Sequence, residues 1–311
     1  MTAPMGDPVA IHLDHVGFIV RDLDATCDFM ARLGFAQTAR ADHTRTNESG
    51  ELVSAGSAQR SIMLRGGYIE MMQITDPAAG HQLAAAPALR FGLHVLAFGT
   101  PDAEACHRVC EGRGVPAGPV LRWARPVNET GLLGLARFAY FGAAWEPWDP
   151  SYLCWVEHRT PELLRSPQLL RHDNGALGLA GIHYRGPHAA GEAWIARLSA
   201  AGVAVIAARA DGVDLGLPNA SIRVEFDERR TAVLPTALVL EFADCTWLRA
   251  RCLELGLALR DMERGAFELD LVQQLGLHWI CRPAAAPATH GAGPGLGLRH
   301  PRFMDPGAGP G

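Results

Sequence analysis

Three stretches of this chain repeat one pattern, and that repeat restricts what it can fold into. IHLDHVGFIVRDLDATCDFMARLGF (11–35) is an apolar run containing His15, then an amphipathic stretch of about three turns, then Gly34. RFGLHVLAFGTPDAEACHRVCEGRGV (90–115) repeats it with His94 and Gly114, and LAGIHYRGPHAAGEAWIARLSAAGV (179–203) with His183 and Gly202. The interval from histidine to glycine is 19, 20 and 19 residues respectively. A fixed internal repeat of this kind means one supersecondary unit used several times.

The strands after each helix define the unit. FAQTARA, SIMLRGG and YIEMMQIT alternate or run apolar, with Gly66-Gly67 as a hairpin signal. The second copy predicts strands near 118–123, 135–141 and 151–157, with FGAAWEPWDPSY as a loop over a cavity. The second half predicts VAVIAA and SIRVEF as strands, then a fourth unit of TALVLEFA, a helix over CTWLRARCLELG, and the strands LALRDM, AFELDLV and LHWICR. The expected fold class is α+β: four βαβββ units arranged as two paired modules with cupped mixed sheets. The first pair spans 1–160, a connector 161–178, and the second pair 179–282. The Pro- and Gly-rich tail 283–311 has little to bury and is expected to be disordered.

Composition excludes several classes. A net charge of −5 gives no bulk electrostatic case for nucleic acid. Lysine is absent, so all 28 basic residues are arginine and no Schiff-base lysine exists. The Ala, Gly and Pro abundance fits a GC-rich bacterial genome. Seven cysteines without a C-x-x-C pair read as reduced, buried thiols. The N-terminus shows no secretory pattern, and no apolar run reaches the roughly 18 residues of a membrane span. The expectation is a cytoplasmic protein with no membrane or nucleic-acid partner. No Walker motif and no G-x-G-x-x-G after a strand supports a nucleotide cofactor.

The repeat also carries chemistry. The first strands of two paired units supply His15 and His94, and YIEMMQI supplies Glu70, with Tyr68 and Met72 on the same face by the period-two rule. Two imidazoles and a carboxylate form a set that holds Fe(II), Mn(II), Zn(II) or Ni(II) with open positions. A carboxylate between Ile69 and Met71 in a buried strand is costly without a cation or partner.

LDHVGFIVRDLDAT, GGYIEMMQITDP and GLHVLAF resemble the vicinal oxygen chelate superfamily, which includes glyoxalase I, extradiol dioxygenases and bleomycin-resistance proteins. VEHRTPELL followed by RHDNGALG looks like a stretch of glyoxalase-like proteins of unassigned function. The resemblance covers roughly 11–282 and places His15, Glu70 and His94 at three metal-binding positions. It departs at the fourth, where Cys154 stands in place of the second glutamate of glyoxalase I; Glu157, three residues on, faces the other side of a regular strand. The resemblance implies one divalent metal binding vicinal oxygens of a small substrate and stabilising an oxyanion, as a lyase or isomerase or as a ring-cleaving dioxygenase. The alternative is a metal-free binding or resistance protein of the bleomycin-resistance kind.

Other residues have a bland and a functional reading. His158 is a proton shuttle at the cavity edge or a strand-end hydrogen bond. Trp145, Trp148 and Trp155 wall an apolar pocket or pack the sheet. Arg60, Arg65 and Arg137 are the cations for an anionic or aromatic substrate, with Arg137 and Tyr68 assigned to the pocket beside Trp145 and Trp148. Cys106 and Cys110 share a helix face as core. Glu241 pairs with an arginine. His183 is a core residue in a second pair that is structural, since its fourth unit offers only Thr236 and Ala237 at the equivalent place. Four units in one chain can complete their own cavities, so monomer and homodimer both remain open.

Overall fold

The computed structural model describes residues 11–46, 49–79, 91–129, 132–146 and 148–285. Residues 80–90, and residues 286–311 of the tail expected to be disordered, lie outside the described residues. Two eight-stranded mixed sheets are present. The first holds β1 (His12–Ile19), α1 (Leu23–Arg32), β2 (Ala41–Thr46), β3 (Leu52–Leu64), β4 (Gly67–Ile74), β5 (Gly92–Gly99), α2 (Ala103–Gly112), β6 (Leu121–Glu129), β7 (Leu132–Gly142) and β8 (Tyr152–His158). Its strand order is β2-β3-β4-β1-β5-β8-β7-β6. The second holds β9 (Ala176–Gly186), α3 (His188–Ala200), β10 (Ala204–Arg209), β11 (Gly212–Leu217), β12 (Ala220–Phe226), β13 (Leu234–Phe242), α4 (Thr246–Glu254), β14 (Leu259–Asp261), β15 (Phe267–Leu271), α5 (Val272–Leu275) and β16 (Leu277–Pro283), in the same topological order. The α+β expectation of four units in two pairs is what the chain forms.

Local chemistry explains the repetition. Asp22 caps α1 by accepting from the Ala25 N–H at 2.9 Å, and Asp102 caps α2 by accepting from Ala105 at 2.9 Å. α1 buries Leu23, Cys27 and Met30, and α2 buries Ala103, Cys106 and Cys110, one stripe each at helical spacing. Gly34 and Gly114 then reverse the chain at φ +82° and +76°, where a side chain would be strained.

The elements differ from the sequence-based expectation at several places. β2 begins at Ala41 rather than in FAQTA, and β3 starts at Leu52, well before SIML. β11 (GVDLGL) has no counterpart in that expectation: two glycines and an aspartate give it low strand propensity, and pairing with β10 and β12 on both sides makes it a strand. β9 starts at Ala176, inside the expected connector, because Leu177 and Leu179 hydrogen-bond to the β3–β4 turn through Arg65 and Gly66 at 2.8 and 3.1 Å.

The two halves share one core. A single buried apolar cluster includes Phe18, Met30 and Trp155 of the first half with Ile182, Tyr184 and Trp279 of the second. Polar stitches cross between them: the Asn219 amide accepts from the Leu13 N–H at 2.9 Å and donates to the Leu13 carbonyl at 2.8 Å, and Ser151 bonds Tyr184 at 2.9 Å. Among the described residues, no helix is long and apolar enough to cross a membrane.

The central pair of the first sheet is bulged at two places. β1 runs antiparallel to β5, and Leu13 faces Phe98 while His15 faces Ala97, so Asp14 is the extra residue of one bulge. Gly17 faces Val95 while Phe18 faces Leu93, so His94 is the extra residue of the other. In the second sheet Ala180 and Thr236 are the corresponding extra residues of β9 and β13.

Candidate active site

The first sheet curls around a cavity of about 470 Å³, lined by residues from all eight of its strands. Because β2 and β6 form opposite edges of the sheet, their shared contribution shows how far it wraps. The base is built from β1 and β4, which run parallel with His15 opposite Tyr68 and Gly17 opposite Glu70. Period-two alternation puts His15, Tyr68, Glu70 and Met72 on the cavity face, with Val16, Ile69 and Met71 in the core.

The bulge at Asp14 breaks this alternation and makes the site. Asp14 is fully buried and lies between two imidazoles. His15 Nδ1 donates to Asp14 Oδ2 at 2.8 Å, and His158 Nε2 donates to the same carboxylate at 3.0 Å. His12, a partly exposed neighbour, is 3.8 Å away. Burial pushes the Asp14 pKa up, but the hydrogen bonds and charges of His15 and His158 outweigh it and hold the carboxyl well below its usual range. The aspartate is therefore ionised, and each histidine presents it an N–H. The His15 ring stacks on Tyr68 with centroids 4.3 Å apart and planes inclined by 20°. Burial raises the Tyr68 pKa, keeping it a neutral phenol.

Glu70 is placed by the absence of a side chain beside it. A Cβ on Gly17 would lie 3.3 Å from Glu70 Oε2 and 2.8 Å from Val95 Cβ. Cys154 stands on the cavity face of β8, and burial raises its pKa, so it is a neutral thiol. Glu157 faces away and accepts the Ala103 N–H at the start of α2 at 3.0 Å.

His94 is 1 % exposed and lies beside Trp145, with ring centroids 5.8 Å apart; it does not line the cavity. Its bulge sets it apart from the cavity-facing Val95. Trp145 in turn stacks on Tyr152, a wall residue, at 5.5 Å. Trp148, in the β7–β8 loop, is 68 % exposed and does not line this cavity. Arg137 is exposed too: alternation along β7 gives the cavity Phe138 and Tyr140 and points Arg137 the other way. Arg60 and Arg65 are not on the cavity face, and Trp155 is core, stacked on Phe141 at 4.8 Å. The cations that do line the cavity are Arg45 of β2 and Arg125 of β6. Their signal was available: Leu121, Trp123 and Arg125 alternate along LRWAR, but no sequence rule says which face of an edge strand turns inward. Asp14 was hidden because it precedes His15 by one residue and a regular strand would have put it on the opposite face.

The second sheet lacks this set. Through the matching bulges, Ala180 stands for Asp14, Gly181 for His15, Thr236 for His94, and Arg223 for Glu70. His183 corresponds to Gly17 and not to His15; burial first, then the nearby Arg223, lowers its pKa to about 4. Glu241 is paired with Arg282 at 2.9 Å.

Paired βαβββ units with a cavity in the cup of a mixed sheet define the vicinal oxygen chelate architecture. The family model for the glyoxalase-like domain matches residues 13–202, and the chain belongs to that family. No curated protein matches the chain. Among solved structures, a hypothetical protein from Staphylococcus aureus is similar with a TM-score of 0.61 and 11 % identity, over 88 % of this chain and 99 % of that one. The Mn(II)-bound glyoxalase from Novosphingobium aromaticivorans is similar with a TM-score of 0.54 and 11 % identity, over 89 % and 82 %. A mutant of 4-hydroxymandelate synthase from Streptomyces coelicolor is similar with a TM-score of 0.54 and 12 % identity, over 90 % and 95 %. At these identities the likeness is one of fold.

The divalent metal that this fold family implies meets an incomplete donor set. His15 and Glu70 share the cavity, but His94 does not reach it, and the Asp14 oxygens are occupied by imidazole N–H groups. Among the described residues, no three His, Cys, Asp or Glu side chains are gathered to hold an ion. As placed, these side chains do not fit a three-donor centre.

Proposed function

We propose that the chain is an enzyme that acts on a small molecule in the cavity of its first sheet by proton transfer at His15, as a lyase or isomerase. The observation that carries this reading is the Asp14–His15 hydrogen bond at 2.8 Å, made by a fully buried carboxylate. With Nδ1–H donated to Asp14, the neutral ring keeps its lone pair on Nε2. When Nε2 takes a proton, the adjacent carboxylate stabilises the imidazolium, the role an orienting aspartate plays beside a general base. His158 holds that carboxylate from its other side, and the neutral Tyr68 ring fixes the plane of His15. Glu70 is the second acid–base group in the same cavity. The second sheet, with Ala180, Gly181, Thr236 and Arg223 at the matching positions, supports the fold rather than forming a second centre.

The test is incorporation of solvent deuterium into 2-hydroxy ketones and 2-oxo acids, followed by proton NMR. Exchange is expected with the parent and about 10²- to 10⁴-fold slower exchange with His15→Ala. Equal rates in parent and variant would refute the assignment.

A second reading rests on one further observation: His15 and Glu70 face the same cavity from paired strands, and metal-bound histidines commonly carry a carboxylate on their other nitrogen. Fe(II), Mn(II), Zn(II) or Ni(II) would take these two donors, with His94 of β5 as the third that the sequence pattern supplies. Elemental analysis of protein purified without chelator decides this. About one equivalent, lost in His15→Ala and Glu70→Ala, supports it, with iron favouring a dioxygenase. Deuterium exchange by metal-free protein supports proton transfer alone, and ligand binding with no turnover supports a binding protein.

A further inference from the structure

The two sheets differ in what their charges do. On the second sheet the arginines are matched: Arg223 and Arg209 pair with Asp214, Arg185 with Glu225, and Arg282 with Glu241. On the first sheet Arg125 lines the cavity, and among the described residues no carboxylate pairs with it. Arg125 is half-buried on an edge strand, and its charge reaches the Tyr68 hydroxyl at the base of the cavity, countering part of the effect of burial. Leaving a guanidinium unpaired in an apolar recess is unfavourable unless a ligand supplies the missing anion.

The wall beside it is aromatic. Trp123, two residues before Arg125, meets Tyr140 edge to face at 5.6 Å, and Phe138 and Tyr152 complete that side. Trp123 is 45 % exposed and Leu121 42 %, although both line the cavity mouth. Exposed apolar side chains at a cavity mouth offer a ligand contact surface.

Resting on the reading of this cavity as the active site, we infer that its ligand is an aromatic carboxylate, with the ring against Trp123 and Tyr140 and the carboxylate on Arg125. Guanidinium and carboxylate match in a two-pronged geometry, which fixes the orientation of the ligand as well as its charge. Arg45, on the opposite edge strand, adds a second positive charge to the cavity, with its Nε donating to the Ala79 carbonyl at 3.1 Å.

The probes are naphthalene-2-carboxylate and naphthalene-2-carboxamide, equal in shape and different in charge, titrated into the full chain by calorimetry and by NMR of the tryptophan indoles. The parent should bind the carboxylate about tenfold more tightly than the amide. Arg125→Gln should erase that preference by lowering the carboxylate affinity more than the amide affinity, and Arg125→Lys should retain part of it. Arg45→Gln should reduce the preference by less. Equal affinity of the parent for both probes, or a preference that survives Arg125→Gln, overturns the anion assignment and leaves the cavity reading standing. Failure of both probes to perturb Trp123 overturns both.

Discussion

Asp14 and His94 occupy equivalent places in two copies of one bulged strand, each the extra residue of the bulge between a leucine and a cavity-facing neighbour. From Asp14 to His94, from Asp22 to Asp102 and from Gly34 to Gly114 the interval is 80 residues. His15 therefore corresponds to Val95, and the two histidines that look equivalent in the sequence differ by one residue in structure. That one residue changes the chemistry: it gives the cavity an oriented Asp–His pair on one side and an aliphatic wall on the other.

Replacing Asp14 by Asn removes the charge both imidazoles address. An amide can accept from one ring, but its NH₂ then opposes the other. We expect a loss of about 2–4 kcal/mol in urea unfolding at pH 7. Nitrogen NMR of the imidazole should also show that His15 no longer prefers the Nδ1–H form. A loss under about 1 kcal/mol would mean that the network is not tightly held.

Gly17→Ala tests the close packing of β1 on β5. The new methyl would meet the Val95 side chain at 2.8 Å and Glu70 Oε2 at 3.3 Å, and Val95 has no free rotation to yield. The expected cost is about 1–3 kcal/mol, with Glu70 displaced. Unchanged stability, by thermal or chemical unfolding, would contradict the close packing of β1 on β5 at Val95.

Acidification should weaken the second sheet through His183. The folded state keeps this histidine neutral down to about pH 4, whereas an unfolded chain protonates it near 6.5. Stability due to the neutral form is thus complete above pH 6.5 and is lost as pH falls toward 4. The loss is about 2–3 kcal/mol. A His183→Gln variant should show a flatter slope over that window; an identical slope would assign the effect elsewhere.

The loop tryptophans should separate cleanly. Trp145→Ala removes the ring stacked on Tyr152 and beside His94, and should cost about 2–4 kcal/mol and loosen ligand binding. Trp148→Ala, at 68 % exposure, should change stability by no more than about 0.5 kcal/mol. Equal effects would mean that the loop packs differently.

Much of this protein is legible along the chain because the signals are local. Period-two runs such as YIEMMQI, helical stripes such as Leu23, Cys27 and Met30, the caps Asp22 and Asp102 and the glycines after each helix specify a βαβββ unit and its repetition. Alternation puts Tyr68, Glu70 and Met72 on one face of β4, and the parallel pairing of β1 with β4 adds His15 to it. Other features depended on partners distant in sequence. Bulges arise only when two strands pair, so the identity of Asp14 as a site residue and the displacement of His94 from the cavity could not be read from spacing. Curling of the sheet brought β2 and β6 together from opposite edges, and only that put Arg45 and Arg125 in one cavity while Arg137 and Trp148 were turned out. Short-range propensity determined most of the strands and helices, β11 and the start of β9 excepted; long-range pairing and curvature decided these and which side chains meet.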